Sequence, residues 1–432
     1  MDEIKLSDDV INQIKKFSYR SLTKEQELLI DKLITDKELK ERYKKYGLCK
    51  ECNHSRIYTY CNYCLFQPNF KNWTSGNHDV DEFIQKIQLK AKSFGQVIEW
   101  IEYDKFVNVE YLAKGGFGTT FKAVWKDGHI LGWDDNNNQW ERHGGVKEVA
   151  LKCLHNSQGI TAEFLKEVES NSLVYDSGYT VPCYGITKDP KTNDFMMVME
   201  LLDSSLRQHL NNNFISMNWK EKLFTLYTIA YGLKDIHNKG LIHRDLHSPE
   251  VLRGKEYTQA SDIYGYGIIA YEICTGFPPY YDIAHDEFLA MKICKGLRPK
   301  PNYKIPQLIF DIINQCWDAD PLKRPDANKL YELFNDLWSN CDKKNYIINK
   351  QTNEADEINK KSSSSSSTAQ SPLPSTSTLS YMTHTQAVYI SKLLDFKNLP
   401  EPKNADNDNL EYSDSVKIDF TKLNITNNSK DE

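Results

Sequence analysis

Leu241-Ile-His-Arg-Asp-Leu-His-Ser-Pro-Glu-Val-Leu-Arg-Gly-Lys-Glu-Tyr-Thr-Gln-Ala-Ser-Asp-Ile-Tyr-Gly-Tyr-Gly267 is the stretch on which the fold turns. Upstream, Trp219 to Asn238 carries Leu223, Leu226, Ile229, Ala230, Leu233 and Ile236 at helical spacing. That period predicts one long amphipathic helix. It delivers the chain to the charged loop His243-Arg244-Asp245. Downstream, Ile305 to Trp317 and Ala327 to Trp338 are amphipathic again. This half of the chain therefore predicts a mainly helical lobe.

The preceding hundred or so residues have strand character. Tyr111-Leu-Ala-Lys-Gly-Gly-Phe-Gly-Thr-Thr-Phe-Lys-Ala123 is a strand, a glycine-rich turn and a second strand. Such a turn lets backbone N–H groups close over phosphates without side-chain clash. Val149-Ala-Leu-Lys152 places a lysine on an apolar strand, where it needs an ionic partner. The helix predicted over Glu163 to Ser170 offers Glu167, with Glu163 as the alternative. Phe195-Met-Met-Val-Met-Glu-Leu-Leu202 is a further apolar strand. An Asn-, Gly- and Trp-rich insert, Asp127 to Gly145, reads as an extended hairpin of no assigned role.

Taken in order, these motifs resemble the protein kinases, in the style of the tyrosine-kinase-like branch expanded in mycorrhizal fungi. The resemblance covers about Phe106 to Trp338. It implies an α+β, two-lobed kinase-like fold. A small antiparallel β lobe would span residues 104–202 and a mainly α large lobe 203–340, truncated at the catalytic and activation segment. It implies ATP as ligand, with Gly115, Gly116 and Gly118 in the phosphate-covering loop. The first glycine of that pattern is here Ala113, and its usual Val is Thr120. Lys152 would pair the α/β-phosphates and Glu167 would orient it. Met199 would be the gatekeeper, and Glu200 to Leu202 would offer backbone groups to adenine. Asp245 would accept the proton of the acceptor hydroxyl. Asp262-Ile-Tyr-Gly-Tyr-Gly267 would open the buried helix of the large lobe. Signalling proteins are the implied partners or substrates.

The resemblance breaks between Asp245 and Glu250, where only four residues stand. The family has there a metal-binding Asn, an Asp-Phe-Gly motif with a second metal ligand, and the activation loop. Glu250 aligns with the glutamate that closes the activation segment, with Arg324 as its ion-pair partner. Five residues reach at most about 17 Å, so the bridge across this seam is short. Without both Mg²⁺ ligands the developing phosphate charge loses its main counter-charge, and one such group alone is worth about 10²–10³ in rate. The chain as written reads as a nucleotide-binding pseudokinase or scaffold. The alternative is an active kinase whose missing segment was lost in the gene model or by splicing.

The N-terminal part has a different chemistry. Thr23-Lys-Glu-Gln26 reads as a capping box before Leu28, Leu29 and Leu33, within a helical segment over 1–46. Cys49-x2-Cys52 and Cys61-x2-Cys64, eight residues apart, supply four thiolates in a knuckle placed at 47–70. Four sulfur ligands make a closed tetrahedral shell, so the site reads as structural zinc, with His54 as a competing ligand. A linking amphipathic helix falls within 78–100, on Val80, Phe83, Ile84 and Ile87.

A formal charge of −6 gives no footprint for nucleic acid. Ten cysteines without a pairing pattern suit a reducing compartment. The charged start MDEIKLSDDV has no apolar signal core, and no apolar run reaches bilayer length. The expectation is a cytoplasmic or nucleocytoplasmic protein without membrane contact. Residues 341–432, with the serine run Ser362–Ser367, read as a disordered Ser/Asn/acidic tail. Within it Gln386 to Phe396 has the pattern of a short helix.

Overall fold

A computed structural model describes residues 6–57, 60–115, 118–134, 136–137, 139–154, 159–175, 178–245, 248–365, 382–387, 396 and 398–404. The chain opens with helices α1 (Asp8–Ile14), α2 (Lys24–Leu33) and α3 (Lys37–Tyr46). Thr23 and Gln26 form the reciprocal capping box at the start of α2. Ile14, Ile30, Ile34 and Tyr43 close a small core of their own. The short α4 (Asn62–Phe66) starts directly after Cys61 and carries Cys64, and α5 (His78–Lys90) is the expected linking helix.

The small lobe is built on a six-stranded sheet in the order β1-β7-β8-β6-β3-β2. Its strands are β1 (Glu99–Trp100), β2 (Phe106–Lys114), β3 (Gly118–Trp125), β6 (Lys147–Leu154), β7 (Cys183–Lys188) and β8 (Phe195–Glu200). Five of them pair antiparallel, as expected. The sixth, β1, adds in parallel to β7, so the sheet is mixed rather than purely antiparallel. The linking segment after α5 supplies that strand. Alternation along β8 divides two cores: Phe195 and Met197 face α5 and α6 (Ala162–Leu173), whereas Met196 and Val198 face Val149, Leu151 and Trp125. The insert is indeed a hairpin, β4 (Ile130–Asp134) with β5 (Gln139–Arg142).

The large lobe consists of α7 (Leu206–Asn213), α8 (Trp219–Asn238), α9 (Pro249–Leu252), α10 (Gln259–Thr275), α11 (Glu287–Cys294), α12 (Gln307–Cys316) and α13 (Ala327–Asn340). Leu223, Leu226 and Ala230 of α8 meet Ile263 and Tyr266 of α10, Ile309 and Ile313 of α12, and Leu330 and Phe334 of α13. Gly267 permits the close crossing of α10 and α12, since a Cβ there would lie 2.7 Å from Trp317 Nε1.

The expectation of disorder from residue 341 onward does not hold for its first part. Residues Ile347–Ser365 form α14, whose Ile348 and Ala355 join the large-lobe core. Asn359 both accepts from Lys304 N (2.7 Å) and donates to Lys304 O (3.0 Å). A polar, serine-ended sequence becomes helical because one apolar stripe finds the lobe. Residues 396 and 398–404 also lie on the large lobe. Of the short helix expected over 386–396, residues 388–395 fall outside the described residues.

Arg324 fixes α9 to the base of the lobe. Its guanidinium, 1% exposed, pairs with Glu250 and donates to Ala260 O (2.9 Å) and Asp318 O (2.8 Å). Removing one partner of a buried ion pair leaves the other charge desolvated, which costs about 3–5 kcal/mol. Arg324→Ala is therefore expected to lower the urea-unfolding free energy by about that much, and Arg324→Met with Glu250→Leu to recover most of it. Equal stability of Arg324→Ala and the native chain would sink this account.

Candidate functional site

The residues expected to face a nucleotide come from three neighbouring strands and one helix. Lys152 sits in the middle of β6, opposite Thr120 of β3 and Met197 of β8. Leu151 points to the opposite core, so the two-residue period turns Lys152 toward α6. There its Nζ lies 2.7 Å from Glu167 Oε1, with both side chains about one-third exposed. Of the two acidic partners open in the sequence, Glu167 is the one engaged. Thr161 caps α6 by accepting from Phe164 N, and Phe164 and Val168 bury the helix face that sets the height of Glu167.

The glycine-rich turn is closed by Gly115 N donating to Gly118 O at 2.8 Å. At Gly118 a Cβ would stand 2.1 Å from Cys153 O, so no side chain fits between β3 and β6. Gly116 lies outside the described residues. Met199, partly buried, packs against the core shared with α6. Glu200 N donates to Pro182 O at 3.0 Å, and its carboxylate accepts from Lys147 Nζ at 2.7 Å and from Tyr184 OH. Leu202 is 59% exposed. Its side chain lines a cavity of about 820 Å³ with Tyr60, Phe94, Leu131, Tyr175 and Pro182. That cavity touches neither Lys152 nor the glycine turn.

In the large lobe Asp245 is exposed, at the end of a loop held from below. The buried carboxylate of Asp262 accepts from His243 N (2.8 Å) and Arg244 N (3.3 Å) and lies 2.9 Å from His237 Nε2. Arg244 is held at φ 66°, in the left-handed region. Five residues beyond Asp245, at the spacing of the family's metal-binding Asn, stands Glu250, and its carboxylate is engaged by Arg324. An Asp-Phe-Gly sequence is absent from the chain. The described residues thus bring together the Lys152–Glu167 pair, the glycine turn and an exposed Asp245. At the position five beyond Asp245 they place Glu250, held by Arg324, where the family has its metal-binding Asn.

The four cysteines come together. Their Sγ atoms all lie within 4.8 Å of one another, with Cys49–Cys64 at 3.6 Å and Cys52–Cys61 at 3.4 Å. A tetrahedron of zinc–sulfur bonds about 2.3 Å long needs edges of about 3.8 Å, so the donor set fits a zinc ion. Burial pushes the Cys61 thiol up to about 12, and neighbouring sulfurs add to it. His54 is not among the converging donors; its ring stacks on Tyr63 with centroids 3.5 Å apart.

What sequence reasoning missed is how this knuckle joins the small lobe. Asn62, next to Cys61, donates to Gln88 O (2.9 Å) and Ala91 O (2.8 Å) at the end of α5. Phe66 stacks on Trp140 of the hairpin at 4.9 Å. Gln96 O accepts from Ser172 Oγ of α6 at 2.8 Å. The aromatic residues of the insert were the available signal, because exposed tryptophans in a polar loop need a surface to cover.

A family model described as "Protein tyrosine and serine/threonine kinase" matches residues 106–252 and 247–334. The two stretches overlap over residues 247–252, shortly after Asp245. Among similar proteins, "Probable serine/threonine-protein kinase roco5" of Dictyostelium discoideum is 30% identical over 281 residues, 52% of this chain and 9% of that protein. "Dual specificity protein kinase pyk3" of Dictyostelium discoideum is 23% identical over 304 residues, 60% of this chain and 21% of the relative. "Tyrosine-protein kinase SPK-1" of Girardia tigrina is 24% identical over 272 residues, 50% of this chain and 51% of the relative. The chain thus spans about half or less of each of these relatives. With more than half of its 432 residues matched and the motifs in register on sheet and helices, the chain belongs to the family of protein tyrosine and serine/threonine kinases.

Proposed function

We propose that this chain is a nucleotide-binding pseudokinase that works as a cytoplasmic signalling scaffold, with a structural zinc ion on Cys49, Cys52, Cys61 and Cys64. The carrying observation is the engagement by Arg324 of Glu250, the residue that stands at the spacing of the family's metal-binding Asn. ATP would be gripped by Lys152 and by N–H groups of the glycine turn around Gly115, Gly116 and Gly118, with Glu200 and Leu202 at the adenine edge and Met199 behind it. Bound Mg²⁺ supplies the counter-charge for phosphoryl transfer in this family, and the residues present do not fit its two ligand positions. Asp245 alone, though free to orient a hydroxyl, leaves that charge uncompensated. Among the described residues no helix is long and apolar enough to cross a membrane.

A second reading is favoured by the split of the family match at the seam. In it, a segment carrying the Asn and Asp-Phe-Gly ligands belongs between Ser248 and Pro249 in the native transcript, and the protein is an active kinase. Long-read sequencing across that junction separates the two. Relatives named for serine/threonine, tyrosine and dual specificity leave the acceptor class open under this reading.

Two outcomes are expected of the chain as written. With Mg-ATP and a generic acceptor protein, phosphate transfer should not exceed that of Asp245→Ala, while ATP should raise the melting temperature of the native chain and not of Lys152→Ala. Transfer that vanishes in Asp245→Ala would refute the pseudokinase assignment. For the knuckle, elemental analysis should find one zinc per chain, falling to near none in Cys49→Ser or Cys64→Ser, with earlier melting of the N-terminal part. Full-length, stable, zinc-free protein would exclude the metal.

A further inference from the structure

The large lobe carries a groove between α9 and α11 that is already holding a peptide, the chain's own. Leu399 is buried against Leu252, Ala290 and Cys294, with Phe396 packed at the edge. The main chain is read as well: Phe396 N donates to Leu252 O (3.1 Å) and Lys403 N to Cys294 O (2.8 Å). Arg253 donates through Nε to Leu399 O (3.3 Å) and through Nη1 to Glu401 Oε2 (2.6 Å). These are the elements of short-segment recognition: backbone hydrogen bonds for affinity, pockets and one charge for selection.

The same contact is built to exchange. Among the described residues its apolar part is one buried side chain, Leu399, with Phe396 at the edge. Its remaining bonds are single hydrogen bonds, including those of Asn404 with Ala319 N and Asp318. Its ion pair has a carboxylate that is 71% exposed, a kind of pair that holds weakly. Its receptor side is part of the lobe proper. Leu252 and Arg253 end the short helix that Arg324 anchors through Glu250, directly after the seam.

We propose that this groove is a docking site for a segment of a partner protein bearing an aromatic residue, a leucine three positions later and a carboxylate two beyond it. Residues Phe396, Leu399 and Glu401 of the tail occupy it in cis as a tethered competitor. The attachment raises the local concentration of the tail, so a partner gains the groove by matching this pattern better or by arriving where the tail is drawn away. The proposal requires binding only and stands whether or not the chain transfers phosphate.

The test uses the full chain and a fluorescein-labelled peptide with the sequence of residues 394–406. Leu399→Asp with Glu401→Arg, which frees the groove, should bind the peptide at least about tenfold tighter than the native chain. Adding Arg253→Glu should abolish that gain, and a peptide carrying Glu401→Arg should restore it. Glu401→Ala alone, too mild to unfold the lobe, should give a smaller gain in the same direction. Equal peptide binding by native and freed chains, or none by a freed chain that melts like the native one, would overturn the proposal. Self-association of the freed chain without peptide binding would assign the groove to a second copy instead.

Discussion

Asp262 is the constraint on which the large lobe depends. A carboxylate with no exposure must have its lone pairs filled, or its desolvation would cost several kcal/mol. Here two successive backbone N–H groups, of His243 and Arg244, and the ring of His237 surround it. These bonds hold Arg244 in the left-handed region, a conformation that costs an L-residue about 1–2 kcal/mol. Asp262 itself is fixed in the first turn of α10 behind the Thr258–Ser261 capping box, where the helix dipole favours an anion. The loop bearing Asp245 is therefore shaped from below, by a helix that begins beyond the seam. That explains how the loop keeps its form although the segment normally beside it is absent: its scaffold is α8 and α10, and neither lies in the missing stretch.

The small lobe shows the same logic with a different anchor. Glu167 meets Lys152 only if α6 keeps its height over the sheet, and α6 is held from its outer side by α5 and by Gln96. α5 in turn is capped by Asn62, which follows the third cysteine. The path from the four sulfurs to the Lys152–Glu167 pair thus runs through packed side chains and buried hydrogen bonds without a gap. Through these contacts the knuckle is packed onto the helix that carries Glu167. The insert hairpin, through Trp140 on Phe66 and Arg142 on Glu99, joins the same packing from the side.

Much of this was legible in the residues. The cysteine cluster followed from its spacing, whereas the strand of Lys152, the helix of Glu167 and the pairing of Glu250 with Arg324 followed from the order of the kinase-like motifs, with Glu163 left open until the helix was placed. Two kinds of feature were not. The parallel strand at Glu99–Trp100 is two residues long, below any period that a pattern can register. α14 has a polar, serine-ended sequence whose helicity comes from Ile348, Ala355 and Asn359 docking on the lobe. Its stability is tertiary, and composition argued the other way. The engagement of the insert was hidden for the same reason: a hairpin of Asn, Gly and Trp states that it needs a surface and does not state which.

These misses share a cause that bears on how the domain tolerates its seam. In this chain α9 is clamped by Arg324 at one end, while Leu399 covers Leu252 and Cys294 at the other. Hydrophobic cover for Leu252 and Cys294 comes from outside the matched domain, just as α5 packs on α6 from outside it. Residues before 106 and after 334, which the family match does not reach, carry that share of the packing. Packing on α6 and α9, the helix that flanks Lys152 and the helix that follows Asp245, thus draws on residues outside the matched domain.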